Sequence, residues 1–141
     1  MKTIVIDTNV WVTVLGSRSS FQHILLDLRK KRFILALSAE IMLEYEEIII
    51  RKFPYSPQTA EFLLSLLIRL PNVHFILPTY RWQLISVDPD DNKFVDTAIV
   101  SGADYIVTED RHFKVLASNA FPVVKVINLE TFSELLKNND I

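Results

Sequence analysis

The chain has 141 residues, 17 acidic and 15 basic, for a formal charge of −2, and half of its residues are hydrophobic. That length and apolarity suffice for one globular domain, 1–141, that packs a core without staples. The absence of cysteine excludes disulfide scaffolds, thiolate zinc sites, thiol catalysis and iron–sulfur centres, and two glycines leave no room for a P-loop or a dinucleotide fingerprint.

Thr3–Ile6 is a β-branched, apolar run that predicts a buried strand. A turn at Asp7-Thr8-Asn9 leads to a short helix over Val10–Leu15. Phe21, Ile24, Leu25 and Leu28 share one face of a helix over Phe21–Arg29. Ile34–Leu37 is a second strand. Ser38 is a good N-cap for a helix running to about Arg51. Pro54 and Pro57 interrupt, and a helix follows from about Thr59 to Leu70. Val73–Leu77 is a third strand, and Pro78–Asp90 is irregular. A helix runs from Asp91 to Ser101-Gly102. Tyr105–Val107 and Val123–Ile127 complete five strands, and Asn128 caps a last helix to about Leu136. Strands that are apolar on both faces and alternate with helices predict an α/β fold. It is a three-layer α/β/α sandwich around a central, mostly parallel sheet of about five strands.

The N-terminal apolar run is broken by Asp7 and Asn9 and has no cleavage signal after it. The run at 62–70 is far shorter than the ~20 residues that a membrane span needs. The expectation is a soluble, cytoplasmic protein with no membrane association.

In sheets of this kind ligands bind at the carboxyl ends of the strands. Asp7 directly follows the first strand, and Asp110 follows the fourth through Thr108-Glu109. Steps of ~100° put Asp91 near the centre of the apolar stripe Phe94, Val95, Ala98, Ile99, and Asp96 on its flank. An acid on a buried face requires a partner. On the helix after Ser38, Glu44 and Glu46 both edge the stripe, and periodicity leaves both open. Each acid also has a plainer role. Asp7 suits an Asx turn, Glu44 an ion pair with Arg51, and Asp91 or Asp110 a helix cap. Trp11 and Trp82 read as packing residues, and Arg29-Lys30-Lys31-Arg32 as complementing a helix dipole. Carboxylates gathered without Cys or clustered His suit Mg²⁺ or Mn²⁺, whose usual chemistry is phosphodiester hydrolysis.

Ile6-Asp7-Thr8-Asn9-Val10, Leu43-Glu44, Asp88-Pro89-Asp90-Asp91-Asn92-Lys93-Phe94 and Val107-Thr108-Glu109-Asp110 stand in this order. Together they resemble a PIN domain, and most of all the VapC-like ribonuclease toxins of toxin–antitoxin systems. The likeness runs from Met1 to about Leu136. It implies an endoribonuclease with Mg²⁺ or Mn²⁺ held by Asp7, Glu44, Asp91 and Asp110, so that Glu44 is chosen over Glu46. It implies that Asn9 and Thr108 orient those acids and their waters. It also implies a homodimer and an antitoxin partner that blocks the site. The run Asp88 to Asp96 is richer in acid than one ligand requires. Asp96 therefore stands as a supporting acid or as an alternative to Asp91, with Asp90 as the cap. Lys93, Arg111 and Lys114 are candidate contacts to RNA, which the small acidic excess of the chain makes necessary. His112 is near enough to Asp110 to touch substrate. The alternatives are an inactive PIN module that binds RNA or protein, and a Mg²⁺-dependent phosphatase. Asn9 stands where a haloacid-dehalogenase phosphatase needs a second Asp.

Overall fold

A computed structural model describes residues 1–118 and 122–141. Five strands form one sheet: β1 (Thr3–Ile6), β2 (Ile34–Leu37), β3 (Val73–Phe75), β4 (Tyr105–Val107) and β5 (Val126–Ile127). Their order is β3-β2-β1-β4-β5, and every pairing is parallel. The helices are α1 (Thr8–Leu15), α2 (His23–Arg29), α3 (Ala39–Lys52), α4 (Pro57–Arg69), α5 (Asn92–Ser101) and α6 (Leu129–Lys137). Successive side chains of a strand point to opposite faces. Ile4, Val5 and Ile6 are all fully buried, so helices cover the sheet on both sides. This is the three-layer α/β/α architecture that the sequence predicts.

The register explains the buried middle. Ile4 of β1 lies between Leu35 of β2 and Tyr105 of β4. The N–H of Asp7 donates to the Val107 carbonyl at 3.0 Å, so pairing continues one residue past each strand. α5 packs on β1, β2 and β4, while α3 packs on α1, α4 and α5. Trp11 and Tyr45 meet edge to face at 6.3 Å between α1 and α3, and both are fully buried. Trp11 is thus a packing residue. On the other side Phe33 and Phe132 meet at 5.3 Å.

Several boundaries differ from the sequence reading, among them the start of α2, at His23 and not Phe21, and that of α4, at Pro57 and not Thr59. No turn precedes α1: the helix starts at Thr8, and Asp7 has extended backbone at the N-cap position without a side-chain cap bond. β3 stops at Phe75 because it is an edge strand with one neighbour, although the Ile76 N–H still reaches the Leu37 carbonyl. β5 covers only Val126–Ile127, since β4 offers three residues to pair with. The other ends follow the local chemistry. Ser38 caps α3 by accepting from the Ile41 N–H, and Asn128 caps α6 in the same way. α4 begins on Pro57, whose missing N–H costs nothing in a first turn. α5 closes on Gly102 at φ +64°, a conformation that glycine takes without strain. Among the described residues no helix is long and apolar enough to cross a membrane.

Candidate metal centre

The strand order places the site. β1 and β4 are neighbours, and from them the chain winds outward in opposite directions to β3 and to β5. Such a reversal opens a crevice at the carboxyl ends of the two strands. Asp7 stands at the end of β1, and Thr108 and Asp110 follow β4.

Asp7 is buried, and its carboxylate accepts from the Thr108 hydroxyl at 2.7 Å. Burial raises its pKa despite the hydrogen bonds from Thr108 and the Thr8 backbone, and the charges of Glu44 and Asp110 push the same way. Thr108 Oγ1 also accepts from the Asp110 N–H at 3.0 Å, so one hydroxyl fixes both acids. Asp110 Oδ1 accepts from the His112 N–H at 2.8 Å and so caps the 3₁₀ turns at Arg111–Ser118. The capping role and a place in the acid cluster thus coexist in Asp110.

Glu44 is set by three elements. α3 carries it, the Thr8 hydroxyl of α1 donates to its Oε2, and the Lys93 ammonium of α5 pairs with its Oε1 at 2.8 Å. Glu46 is exposed. Arg51 pairs with Glu47 and not with Glu44. Burial lowers the Lys93 pKa, but the hydrogen bond and charge of Glu44 outweigh it, and the net shift is upward.

Asp91 closes the group from a 3₁₀ turn, Pro89–Asp91, in which Asp88 accepts from the Asp90 N–H. Burial pushes the Asp91 carboxyl up to about 7, helped by the charges of Asp88, Asp110 and Asp7 and opposed by His112. Asp91 Oδ2 is buried and has no hydrogen-bond partner among the described residues. His112 Nδ1 is buried likewise, 3.7 Å from Asp91 Oδ2 and 3.4 Å from Asp110 Oδ1. Asp88, Asp91 and His112 each offer one donor atom, all within 4.8 Å of one another.

The fold therefore brings Asp7, Glu44, Asp91 and Asp110 together, with Thr108 between two of them. Two expected residues stand elsewhere. Asn9 is exposed, and Thr8 is the residue whose hydroxyl reaches Glu44. Asp96 is buried, but it accepts from the Trp82 N–H at 3.1 Å, and Arg81 is the charge that favours its ionised form. The segment between β3 and α5 folds over that flank of α5, which helical periodicity within α5 cannot reveal. Lys93 is committed to Glu44. Arg111 and Lys114 are exposed and line a cleft of about 930 Å³ beside Thr108 and Asp110. Sequence reasoning gave Thr8 and Asp88 no part in the site, and gave His112 a contact with substrate but no place among the metal donors. The signal for His112 was its place two residues after Asp110, where an Asp side chain caps the next turn.

A cation suits this donor set. Burial and neighbouring carboxylates raise the pKa of Asp7 and of Asp91, and Asp91 Oδ2 has no hydrogen-bond partner among the described residues, a combination that a hard positive ion would stabilise.

Fold and site together define an α/β protein of the doubly wound class, with an acidic pocket at the switch point of its sheet. The chain belongs to the PIN domain family, whose model matches residues 3–112 and so spans all four acids. Among solved structures it is similar to a chain of VapBC2 from Rickettsia felis, solved bound to a DNA fragment from the promoter. The identity is 19%, over 89% of this chain and 98% of that one, with a TM-score of 0.63. PAE2754 from Pyrobaculum aerophilum is also similar, at 14% identity over 97% and 96% of the chains and a TM-score of 0.63. These two likenesses concern the fold. A search of curated proteins returns no match.

Proposed function

We propose that the protein is a Mg²⁺- or Mn²⁺-dependent endoribonuclease, with Asp7, Glu44, Asp91 and Asp110 as its catalytic metal site. The observation that carries this reading is the convergence of four acids at the β1/β4 switch point, one with a buried oxygen that has no hydrogen-bond partner among the described residues. Asp7, Asp91 and Asp110 would hold the ion, beside the Asp88, Asp91 and His112 donor atoms that lie within 4.8 Å of one another. Both oxygens of Glu44 already have partners in Thr8 and Lys93, so it acts through a coordinated water or by its charge. His112 adds a nitrogen donor beside Asp91, which suits Mn²⁺ better than Mg²⁺. When bound, the ion supplies an activated water for in-line attack on the phosphate and offsets charge in the transition state, leaving 5′-phosphate and 3′-hydroxyl ends. The chain's own part is positional. Thr108 fixes Asp7 against Asp110, Thr8 fixes Glu44, and Lys93 neutralises the one acid that the ion does not hold directly. Arg111 and Lys114 line the cleft where the RNA backbone lies.

The family and the fold shared with a VapBC2 chain support a biological role as the toxin of a toxin–antitoxin pair. In that role the protein works in the cytoplasm as a homodimer and is held inactive by an antitoxin.

The test is calorimetry with Mn²⁺ and Mg²⁺, wild type beside Asp7→Asn, together with cleavage of a mixed RNA pool. Loss of both metal binding and cleavage in the variant is the expected result. Metal binding without cleavage in the wild type would point instead to an inactive PIN module. No metal binding by the wild type would sink the proposal and return the four acids to caps and turn residues.

A further inference from the structure

A polar groove runs beside the acid cluster, and nothing in the proposed chemistry uses it. Its larger part is a cavity of about 720 Å³, walled by Glu40 at the start of α3, by Arg81 and Gln83, and by Asp90, Lys93 and Asp96. A smaller part of about 240 Å³ shares Glu40, Arg81, Lys93 and Asp96 with it and reaches the end of β3. Lys93 joins groove to site, since its ammonium sits on Glu44. The size is that of a pocket for one nucleotide or a little more.

The wall of this groove is fixed in place. Asn92 clamps the backbone of Ile85 in both directions, accepting from its N–H at 2.9 Å and donating to its carbonyl at 2.8 Å. Asp96 accepts from the Trp82 N–H at 3.1 Å. Gln83 lies between these two anchors, exposed, with φ at +53°. A non-glycine residue there carries strain of about 1 kcal/mol. Three hydrogen bonds to α5 hold it, and strain of this kind gathers where a side chain must be presented. Arg81 is exposed too, and forms no ion pair among the described residues.

The lining mixes signs. A phosphate would meet the carboxylates of Glu40 and Asp90. A base edge that alternates donors with acceptors would not. Guanine alone offers two adjacent donors, N1–H and N2–H, for a carboxylate, together with an O6/N7 acceptor pair for an arginine fork. Single-stranded RNA is read in this way, by splayed bases bonded along their edges.

We propose that the groove is a base-reading subsite that takes a guanine next to the scissile phosphate, with Arg81 on O6/N7, a carboxylate of Glu40 on N1–H/N2–H, and Gln83 completing the edge. The guanine site itself is independent of the metal; only its placement beside the scissile bond rests on the ribonuclease reading. The test uses the four 5′-nucleoside monophosphates in EDTA, titrated into the ¹⁵N-labelled full chain. The expected result is that GMP binds at least fivefold more tightly than AMP, CMP or UMP and moves the amides of residues 81–86. Arg81→Ala and Gln83→Gly should bring GMP level with the others while Mn²⁺ affinity stays unchanged. Gln83→Gly removes the strained φ, so the fold tolerates it. Equal binding of the four, no binding, preference for another base, or a preference that survives both substitutions would each overturn the subsite. Because the titration contains no metal, its failure is separate from a failure of Mn²⁺ to bind the wild type.

Discussion

In the proposed metal centre Asp91 bears the cost of a buried carboxylate when no ion is beside it. Its carboxyl is pushed up to about 7, chiefly by burial and then by Asp88, Asp110 and Asp7. An unfolded aspartate titrates near 3.9. Between those values the folded state binds the extra proton, so unfolding free energy falls as pH rises from about 4 to about 7. Asp7, raised in the same direction by burial, adds to that slope. Asp91→Asn keeps the shape and removes the titration. In EDTA the variant should be more stable than the wild type at pH 7.5 by about 1–2 kcal/mol, solvent screening taken into account, and no more stable at pH 4. Urea unfolding at the two pH values measures this. Excess Mn²⁺ should reverse the order at pH 7.5, because an ion that binds only the native state stabilises it by mass action. A variant that gains nothing at pH 7.5 would show that Asp91 is not held in an unfavourable charge state.

The pairing of α2 with α6 is carried by a compact polar strut. His23 Nδ1 contacts Asp27 Oδ2 at 3.0 Å, and its Nε2 contacts the buried Ser133 hydroxyl at 2.7 Å. Arg32 donates to Asp27 at 2.9 Å and to the Leu136 carbonyl and Asn139 at 2.7 Å each. Asp27 is buried, so Asp27→Ala strips partners from both His23 and Arg32. It should cost about 2–3 kcal/mol in chemical denaturation. Glu47→Ala breaks an exposed i,i+4 pair with Arg51 on α3 and should cost less than about 0.5 kcal/mol. If the two losses are equal, the strut is no stronger than a surface ion pair. The strut also shows which elements a sequence makes legible. Hydrophobic period and capping residues marked every strand and helix, because those signals are local. Asp7 and Asp110 were legible for the same reason, each directly following an apolar strand. The strut joins residues 110 positions apart, and the Asp96 bond to Trp82 depends on how an irregular segment folds back. Neither leaves a period in the sequence. Glu44 and Glu46 are equivalent on the helix stripe, and only the tertiary contacts from Thr8 and Lys93 separate them.

At the scale of the whole molecule the proposed function raises the question of how a chain of net charge −2 would hold a polyanion. Nonspecific affinity for nucleic acid comes from cations that displace counterions. Of the basic residues near the proposed site, Lys93 is spent on Glu44, and Arg111, Lys114 and Arg81 remain on the rims of the two clefts. Arg81 is assigned to a base edge, so Arg111 and Lys114 make two phosphate contacts, and two on a single strand give a slope of about −1.4 in log K against log salt. That is a shallow dependence for an RNA-binding protein. The larger control must then be the acid cluster itself. Without an ion, Asp7, Asp91 and Asp110 would repel the phosphate that the proposed chemistry places among them. With a divalent ion the sign of the local field inverts. RNA affinity, read by stopped-flow anisotropy before any strand is cut, should fall at least tenfold when Mn²⁺ is replaced by EDTA. The slope with salt in Mn²⁺ should stay at about −1.4. Arg111→Ala with Lys114→Ala should flatten that slope by about 1.4 and leave the fold untouched, since both side chains are exposed. A slope of −5 or steeper, or an affinity indifferent to EDTA, would place the RNA on a surface away from the acids and break the link between this site and its substrate.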